Sequence, residues 1–210
     1  MNSITICVTI KKSASTDKYF NSSLKTYLNQ NYSNFKVLII DGSNYPAYKK
    51  KIKQLDKNHL IKYLNIPDNS SYEGYVNAFN HIDTDYVMFG TVSDGLITND
   101  WLSVAMYNIK NSVAIFGLSR KMDSNDSLFG PDDPNLINIL NDNFLDNLIF
   151  CIGSQYIPPE LNLVYRFDFI KKIFKKKNKS NIHDLFLFIN SYLINNNFKI
   201  TYLNIYANYG

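Results

Sequence analysis

Cysteine is scarce in this chain of 210 residues, and its two copies lie far apart. Cys7 and Cys151 sit in apolar surroundings, with no Cys-x-x-Cys spacing and no histidine close by. A disulfide framework or a zinc site would need more cysteines at paired spacings. The sequence therefore argues against both, and it predicts that the two cysteines are buried thiols.

Long apolar runs are missing as well, and the first residues do not resemble a leader segment. No stretch approaches the roughly 18 uncharged apolar residues that a membrane span needs. The first residues lack the basic start and long apolar run of a signal peptide, and a strand-like segment begins almost at once at Ile4. We therefore expect a soluble protein that resides in the cytoplasm.

Arginine is rare, with two copies in a chain whose formal net charge is +4. Little arginine and the lack of a recognition motif disfavour nucleic acid as a partner. Much of the positive charge lies in the run Lys171–Lys179, which two apolar residues interrupt. This run predicts either a solvated helix end or a peripheral contact with a membrane surface or an anionic acceptor.

Glycine is uncommon too, with eight copies, and none of them lies in Lys11–Ser15 after the first predicted strand. A doubly wound nucleotide-binding module that holds phosphate in a Gly-rich loop would need glycines at that point. The sequence therefore disfavours this class of protein.

The pattern of hydrophobic residues, which make up 45% of the chain, predicts one α/β domain. Largely apolar runs predict three buried strands, and a short strand is predicted between the second and the third of them. These strands are Ile4–Ile10, Phe35–Ile40, Leu60–Leu64 and Tyr86–Phe89. Helices are expected at Asp17–Asn29, with Asp17 as N-cap, and at Pro46–Leu55. The βαβαβ order predicts an open, mostly parallel sheet whose ligands gather beyond the carboxyl ends of the strands.

The second half of the chain continues this alternation. The pattern predicts a helix after Asn99, a strand at Val113–Leu118 and a long loop at Lys121–Pro134. Two helices near 168–175 and 184–194 and a closing strand at Lys199–Tyr206 follow. Long loops in such folds are often functional.

Four stretches in this order resemble the family 2 glycosyltransferases, which share the GT-A fold and join a nucleotide-sugar donor to an acceptor hydroxyl. The stretches cover nearly the whole chain, and their order and spacing carry the likeness. They are Ile4–Thr9 with Ser23–Tyr32, then Val37–Ser43, then Pro67–Phe89, and finally Ile182–Leu187 ahead of Ile200–Leu203. The resemblance implies one GT-A domain over 1–210, with a nucleotide-binding half at 1–98 and an acceptor-side half at 99–210.

The resemblance also implies which residues bind the donor. Asp41 would accept hydrogen bonds from a uracil NH or from ribose hydroxyls, although an Asx-type turn would explain the same residue. Further donor-binding residues would be Thr9, Ser43, Asp68, Asn80, Ser93 and Asp94. For Thr9 the alternative is an ordinary strand end, and for Asp68 and Asn80 it is a helix cap.

The metal position departs from the family pattern. Relatives usually end the fourth strand with closely spaced acids, because a hard divalent cation wants oxygen ligands and must bridge two phosphates. This chain has Gly90-Thr91-Val92-Ser93-Asp94-Gly95, so Asp94 is the one carboxylate. The resemblance implies Mn²⁺ or Mg²⁺ at Asp94, bound more weakly than usual, and a turn residue before Gly95 is the alternative.

For the chemistry, the resemblance implies Asp184 as the catalytic base, with His183 and Arg166 on the acceptor side. A first-turn aspartate of a helix would explain Asp184 equally well. Two functions follow. One is an inverting transferase that moves a hexose or N-acetylhexosamine from a UDP-sugar to a glycan or glycolipid. The other is a non-catalytic nucleotide-sugar-binding or scaffold protein, which the loss of the spaced acids favours.

Overall fold

The computed structural model describes residues 2–67, 71–122, 125, 127–131, 163–174 and 198–209. Within these ranges the chain forms nine strands and five α-helices. The strands are β1 (Ile4–Ile10), β2 (Phe35–Asp41), β3 (Ile61–Asn65), β4 (Tyr86–Thr91), β5 (Gly95–Leu96), β6 (Ala114–Met122), β7 (Leu128–Pro131), β8 (Leu163–Arg166) and β9 (Ile200–Tyr209). The helices are α1 (Ala14–Leu28), α2 (Pro46–Leu55), α3 (Ser71–Ala78), α4 (Trp101–Asn108) and α5 (Phe167–Phe174), with a 3₁₀ turn at Phe79–His81.

The strands form one mixed sheet in the order β3-β2-β1-β4-β8-β6-β9-β5, and β7 pairs with β6 outside this path. The first four strands in that order are parallel to one another. Strand β8 runs antiparallel to both β4 and β6, and β9 runs parallel to β6. The predicted α/β fold with a mostly parallel sheet is therefore confirmed, and antiparallel strands extend the sheet on one side.

Helices cover both faces of the sheet, so the parallel strands are buried on two sides. Even-numbered residues of β1, such as Ile6 and Val8, pack in a cluster with α1, α2 and α4. Cys7 points to the other face and packs in a cluster with α3 and α5. Every residue of β1 is buried, which explains why five of its seven residues are apolar. The prediction that Cys7 is a buried thiol is confirmed, whereas Cys151 lies outside the described residues.

Helix α1 begins three residues earlier than the sequence pattern predicted. Its N-cap is Ser13, whose hydroxyl accepts a hydrogen bond of 3.1 Å from the backbone N–H of Thr16. The predicted cap Asp17 is wrong, because Asp17 lies inside the first turn and accepts a bond of 2.8 Å from the Tyr48 hydroxyl. A serine and an aspartate both suit an N-cap, so the sequence alone did not separate them.

The predicted loop at Lys121–Pro134 is partly wrong. Strand β6 continues to Met122, and Leu128–Pro131 returns as β7 in an antiparallel pair with it. The sequence also gave no sign of β8, which is four residues long. The closing strand is confirmed and reaches Tyr209. The helix expected at 184–194 lies outside the described residues.

None of the helices in the described ranges is both long enough and apolar enough to cross a bilayer.

Gly117 of β6 lies where β6 and β9 fall out of register. Phe116 pairs with Tyr202 and Leu118 pairs with Tyr206, so β9 carries extra residues between those pairs. A methyl group on Gly117 would lie 2.6 Å from the backbone oxygen of Ile205 and 2.9 Å from the indole of Trp101, which is fully buried. The bulge in β9 thus requires a residue without a side chain at position 117.

We therefore expect Gly117→Ala to destabilise the protein by about 1–3 kcal/mol, because the backbone of β9 cannot move away from the new methyl group without breaking its pairing with β6. Equilibrium unfolding in urea measures this loss. A transition midpoint equal to that of the unchanged protein would show that the close approach of β9 to Gly117 does not hold.

Candidate functional site

The carboxyl ends of the four parallel strands form the edge at which the candidate site lies. In the register of the sheet, Thr9 of β1 pairs with Ile40 of β2 and with Thr91 of β4. Strands β1, β2 and β4 therefore end at the same level, about 4.8 Å apart from neighbour to neighbour. The strand order reverses between β1 and β4, and open α/β sheets bind ligands in the crevice beyond the carboxyl ends of the strands at such a point.

Asp41 ends β2 and is fully buried, with both carboxylate oxygens in hydrogen bonds. Its Oδ1 accepts from the backbone N–H of Ser43 at 2.9 Å and from the Ser43 hydroxyl. Its Oδ2 accepts from the Tyr63 hydroxyl at 2.7 Å. The bond to the N–H two residues on is an Asx turn, which is the alternative that the sequence left open. Because the side chain of Asp41 is fully buried, a direct bond from it to a nucleotide would require the residues that cover it to move.

Tyr63 and Asn65 of β3 extend this network, and the sequence pattern gave no indication of either residue. The side-chain amide of Asn65 donates to the backbone oxygen of Asp41 at 3.1 Å, and the N–H of Ile66 donates to the same oxygen at 3.1 Å. Burial and the bond to Asp41 raise the pKa of Tyr63, so its hydroxyl remains protonated and donates at neutral pH. The turn after β2 is thereby fixed at the floor of the crevice.

The segment that follows β4 carries a cluster of three side-chain oxygens. The Thr91 hydroxyl donates to Oδ2 of Asp94 at 2.9 Å and lies 2.8 Å from the Ser93 hydroxyl. The N–H of Ser93 donates to Oγ1 of Thr91 at 3.2 Å, which closes the turn. Val92 is buried, so the alternate residues of this turn point outward together. Thr91, Ser93 and Asp94 therefore present one carboxylate and two hydroxyls at the edge of the sheet.

Burial raises the pKa of Asp94, and hydrogen bonds from Thr91 and Ser93 oppose that shift. Two neutral hydroxyls solvate a carboxylate less well than water or a cation does. This turn therefore fits a divalent cation that binds one carboxylate oxygen of Asp94, with phosphate and water supplying the remaining ligands. Within the described ranges, no group of three or more His, Cys, Asp or Glu residues could hold a metal by itself.

The structure brings five of the predicted donor-binding residues to this edge, which are Thr9, Asp41, Ser43, Ser93 and Asp94. Thr9 is buried, so its side chain packs inside the domain just below the carboxyl edge of the sheet. Asp68, His183 and Asp184 lie outside the described residues, as does the part of the lysine run from Lys175 to Lys179.

Asn80 and Arg166 lie at the opposite, amino-terminal edge of the sheet. Asn80 is exposed on the 3₁₀ turn ahead of Asp83, whose carboxylate pairs at 2.8 Å with Lys36 near the start of β2. Arg166 pairs in register with Tyr86 at the start of β4 and forms an ion pair of 2.8 Å with Asp168. Since β4 has six residues, Arg166 lies about 17 Å from the edge that carries Asp94. The structure does not bring either residue to the crevice.

Lys11 and Glu73 bring charges close to Asp41 at this edge, and the sequence pattern gave no indication of their role. Lys11 follows β1 directly, and the alternation of β1 places it on the face of Cys7 and Thr9, which α3 covers. Partial burial lowers the pKa of Lys11, and the attraction of Glu73 on α3 and of Asp41 opposes that shift. The sequence signal that could have indicated them is a lysine directly after β1 and a glutamate in the first turn of α3.

The carboxyl edge of the parallel strands thus carries a carboxylate after β4, as expected for a GT-A fold. A family model described as "Glycosyl transferase family 2" matches residues 5–185. The chain therefore belongs to glycosyl transferase family 2, and the resemblance seen in its sequence is confirmed. No curated protein matches the chain in a sequence comparison.

Solved structures with low sequence identity share the fold. The structure of TarS 1-349 from S. aureus in complex with UDP superposes with a TM-score of 0.73 and 15% identity, covering 99% of this chain and 60% of that one. The complex of the same protein with UDP-GlcNAc gives 0.67 and 14%, with 99% and 58% covered. The mannosyltransferase PcManGT from Pyrobaculum calidifontis, in complex with GDP-Man and Mn²⁺, gives 0.69 and 9%, with 100% and 56% covered. The chain thus spans about 60% of the length of these structures.

The bond between Tyr63 and Asp41 generates a prediction for stability. We expect Tyr63→Phe to destabilise the protein by about 1–3 kcal/mol, because it leaves an oxygen of a fully buried carboxylate without its donor. Urea unfolding measures the change, and Tyr107→Phe is the matched control, since Tyr107 is 75% exposed. Equal stability of the two variants would mean that Asp41 does not depend on Tyr63.

Proposed function

We propose that this chain is an inverting glycosyltransferase that moves a hexose or an N-acetylhexosamine from a UDP-sugar to a glycan or glycolipid acceptor. The observation that carries the proposal is the Asp94 carboxylate, held by Thr91 at the carboxyl edge of β4 beside the ends of β1 and β2. Membership of glycosyl transferase family 2 supports it, as do the nucleotide and nucleotide-sugar complexes of the similar structures.

In this proposal the nucleoside lies over the ends of β1 and β2, near Asp41 and Ser43, and the diphosphate lies toward Asp94. A Mn²⁺ or Mg²⁺ ion bound at Asp94 would offset the charge that builds on the departing diphosphate. PcManGT was solved with Mn²⁺, which supports a divalent cation in this fold. Asp68 remains a proposed donor contact, and residues 1–98 would form the nucleotide-binding half of a single domain.

The reaction also needs a base, since an acceptor hydroxyl attacks the anomeric carbon as it loses its proton. Asp184 is proposed for this role and His183 for the acceptor side, within the half formed by residues 99–210. Arg166 is not included, because it lies at the opposite edge of the sheet. Residence in the cytoplasm, with peripheral membrane contact through Lys171–Lys179, remains part of the proposal.

A second candidate function has its own supporting observation. Thr91 and Ser93 hold hydroxyls where the spaced acids of relatives would lie, and both hydroxyls are engaged within the turn. A protein that binds a nucleotide-sugar without turning it over, or that serves as a scaffold, would tolerate this arrangement. Binding of the nucleotide without metal stimulation and without turnover would favour this function.

The first test is calorimetric titration of UDP with and without Mn²⁺. We expect Mn²⁺ to tighten UDP binding by about tenfold or more, and Asp94→Ala to remove that gain, because Asp94 supplies the protein's carboxylate for the cation. Asp83→Ala is the matched control, since Asp83 is an exposed aspartate at the opposite edge.

Retention of the gain in Asp94→Ala would refute the metal role of Asp94, and no binding of UDP under any condition would refute the UDP-sugar proposal. Turnover of UDP-sugars that Asp184→Asn abolishes would separate the transferase from the binding protein.

Lys11 generates a further prediction for the same ligand. Because Lys11 brings positive charge to the crevice beside Asp41 and Glu73, we expect Lys11→Met to weaken UDP binding by about tenfold while changing uridine binding little. The matched control is Lys12→Met, because Lys12 is exposed and its Nζ lies 4.2 Å from the centre of the Tyr45 ring. An equal loss for UDP and uridine would show that Lys11 does not meet the phosphates.

A further inference from the structure

The segment 91–100 between β4 and α4, here called the Asp94 loop, has few bonds to the sheet. Its short strand β5 pairs with the end of β9 through Gly95 and Leu96, and the N–H of Ile97 donates to the backbone oxygen of Ala207 at 2.9 Å. Asp94 itself lies before these contacts. Strand pairing holds Thr91 on one side and Gly95 and Leu96 on the other, so residues 92–94, which include the carboxylate, lie between two paired segments.

Side chains near the C-terminal end of α1 form a row of hydrogen bonds to the Asp94 loop. The Tyr27 hydroxyl lies 2.7 Å from the backbone oxygen of Thr91 and 3.3 Å from that of Asp94. The N–H of Leu96 donates to Oγ1 of Thr26 at 2.9 Å. Just past the helix, the side-chain amide of Gln30 donates to the backbone oxygen of Thr98 at 2.8 Å, and its oxygen accepts from the N–H of Leu102 at 3.0 Å.

Tyr27 is fully buried, and its hydroxyl donates to the backbone of this loop. A buried tyrosine hydroxyl needs a partner, so the loop backbone and the side chain fix each other's position. From the opposite face of the sheet, the buried Tyr75 of α3 donates to the backbone oxygen of Gly90 at 3.2 Å. Two tyrosines thus hold consecutive carbonyls where β4 ends, one from each helical layer.

We propose that Tyr27 is a positioning residue for Asp94, which sets the backbone of residues 91–94 so that the carboxylate faces the crevice. This inference rests on the proposed function, since it concerns the cation that accompanies the donor. Because Asp94 is the one carboxylate in the turn, a rotation of the loop would remove the cation's anionic protein ligand. Tyr27 acts through this loop geometry and touches neither the donor nor the cation.

The test uses Tyr27→Phe, which keeps the ring and removes only the hydroxyl. Tyr48→Phe is the matched control, because Tyr48 is also fully buried in the same core cluster and donates to Asp17, away from the loop. UDP is titrated with and without Mn²⁺ for both variants, and thermal unfolding reports their stability. We expect Tyr27→Phe to lose about tenfold of the Mn²⁺-dependent gain, with UDP binding in the absence of metal unchanged.

The control should keep the full gain from Mn²⁺ even where its melting temperature falls as much as that of Tyr27→Phe. A wild-type gain in Tyr27→Phe, or an equal loss in both variants, would overturn the positioning role while leaving the proposed function in place. Wild-type protein that binds UDP with no gain from Mn²⁺ would overturn it as well. Wild-type protein that does not bind UDP at all would refute the proposed function itself, and the positioning role with it.

Discussion

The parallel pairing of β1 with β2 and with β4 is the constraint on which the rest of the structure depends. All three strands are mostly apolar, because helices cover both faces of the sheet, and their register places Thr9, Ile40 and Thr91 at one level, with Asp41 one residue further along β2 and Lys11 two residues beyond Thr9. A shift of one residue in β4 would turn Met88 and Phe89 to the wrong faces. Burial of these side chains therefore sets where the polar turns of the site meet.

The same physics explains how much the sequence could predict. Strands β1, β2 and β4 and helices α1 and α2 were predictable, because each buries a long periodic or continuous apolar segment. The strand β8 and the hairpin of β6 with β7 were not, since four-residue strands give little pattern and their pairing depends on distant segments. By residue type, Ser13 and Asp17 are equally suitable N-caps. Only the folded structure separates them, because Asp17 accepts a hydrogen bond from Tyr48 and Ser13 accepts one from the backbone of Thr16.

For the candidate site, the residues that end strands could be predicted from the sequence, whereas the residues that hydrogen-bond to those strand ends could not. Asp41 and Asp94 could be predicted, because a polar residue directly after a buried strand falls at the ligand-binding edge. Tyr63 and Tyr27 could not, since nothing in their sequence neighbourhoods indicates contacts to residues 22 to 67 positions away. Asn80 and Arg166 were misplaced because motif similarity does not report which end of a strand a residue occupies.

The bonds between α1 and the Asp94 loop also bear on how the molecule assembles. They join positions 64 to 70 residues apart, so the chain must close a long loop before any of them can form. Helix α1 follows β1 directly and can dock on β1 and β2 early, whereas the loop meets Thr26, Tyr27 and Gln30 only once β4 has inserted beside β1. The turn that carries Asp94 therefore has its full set of bonds to α1 only in the completed sheet.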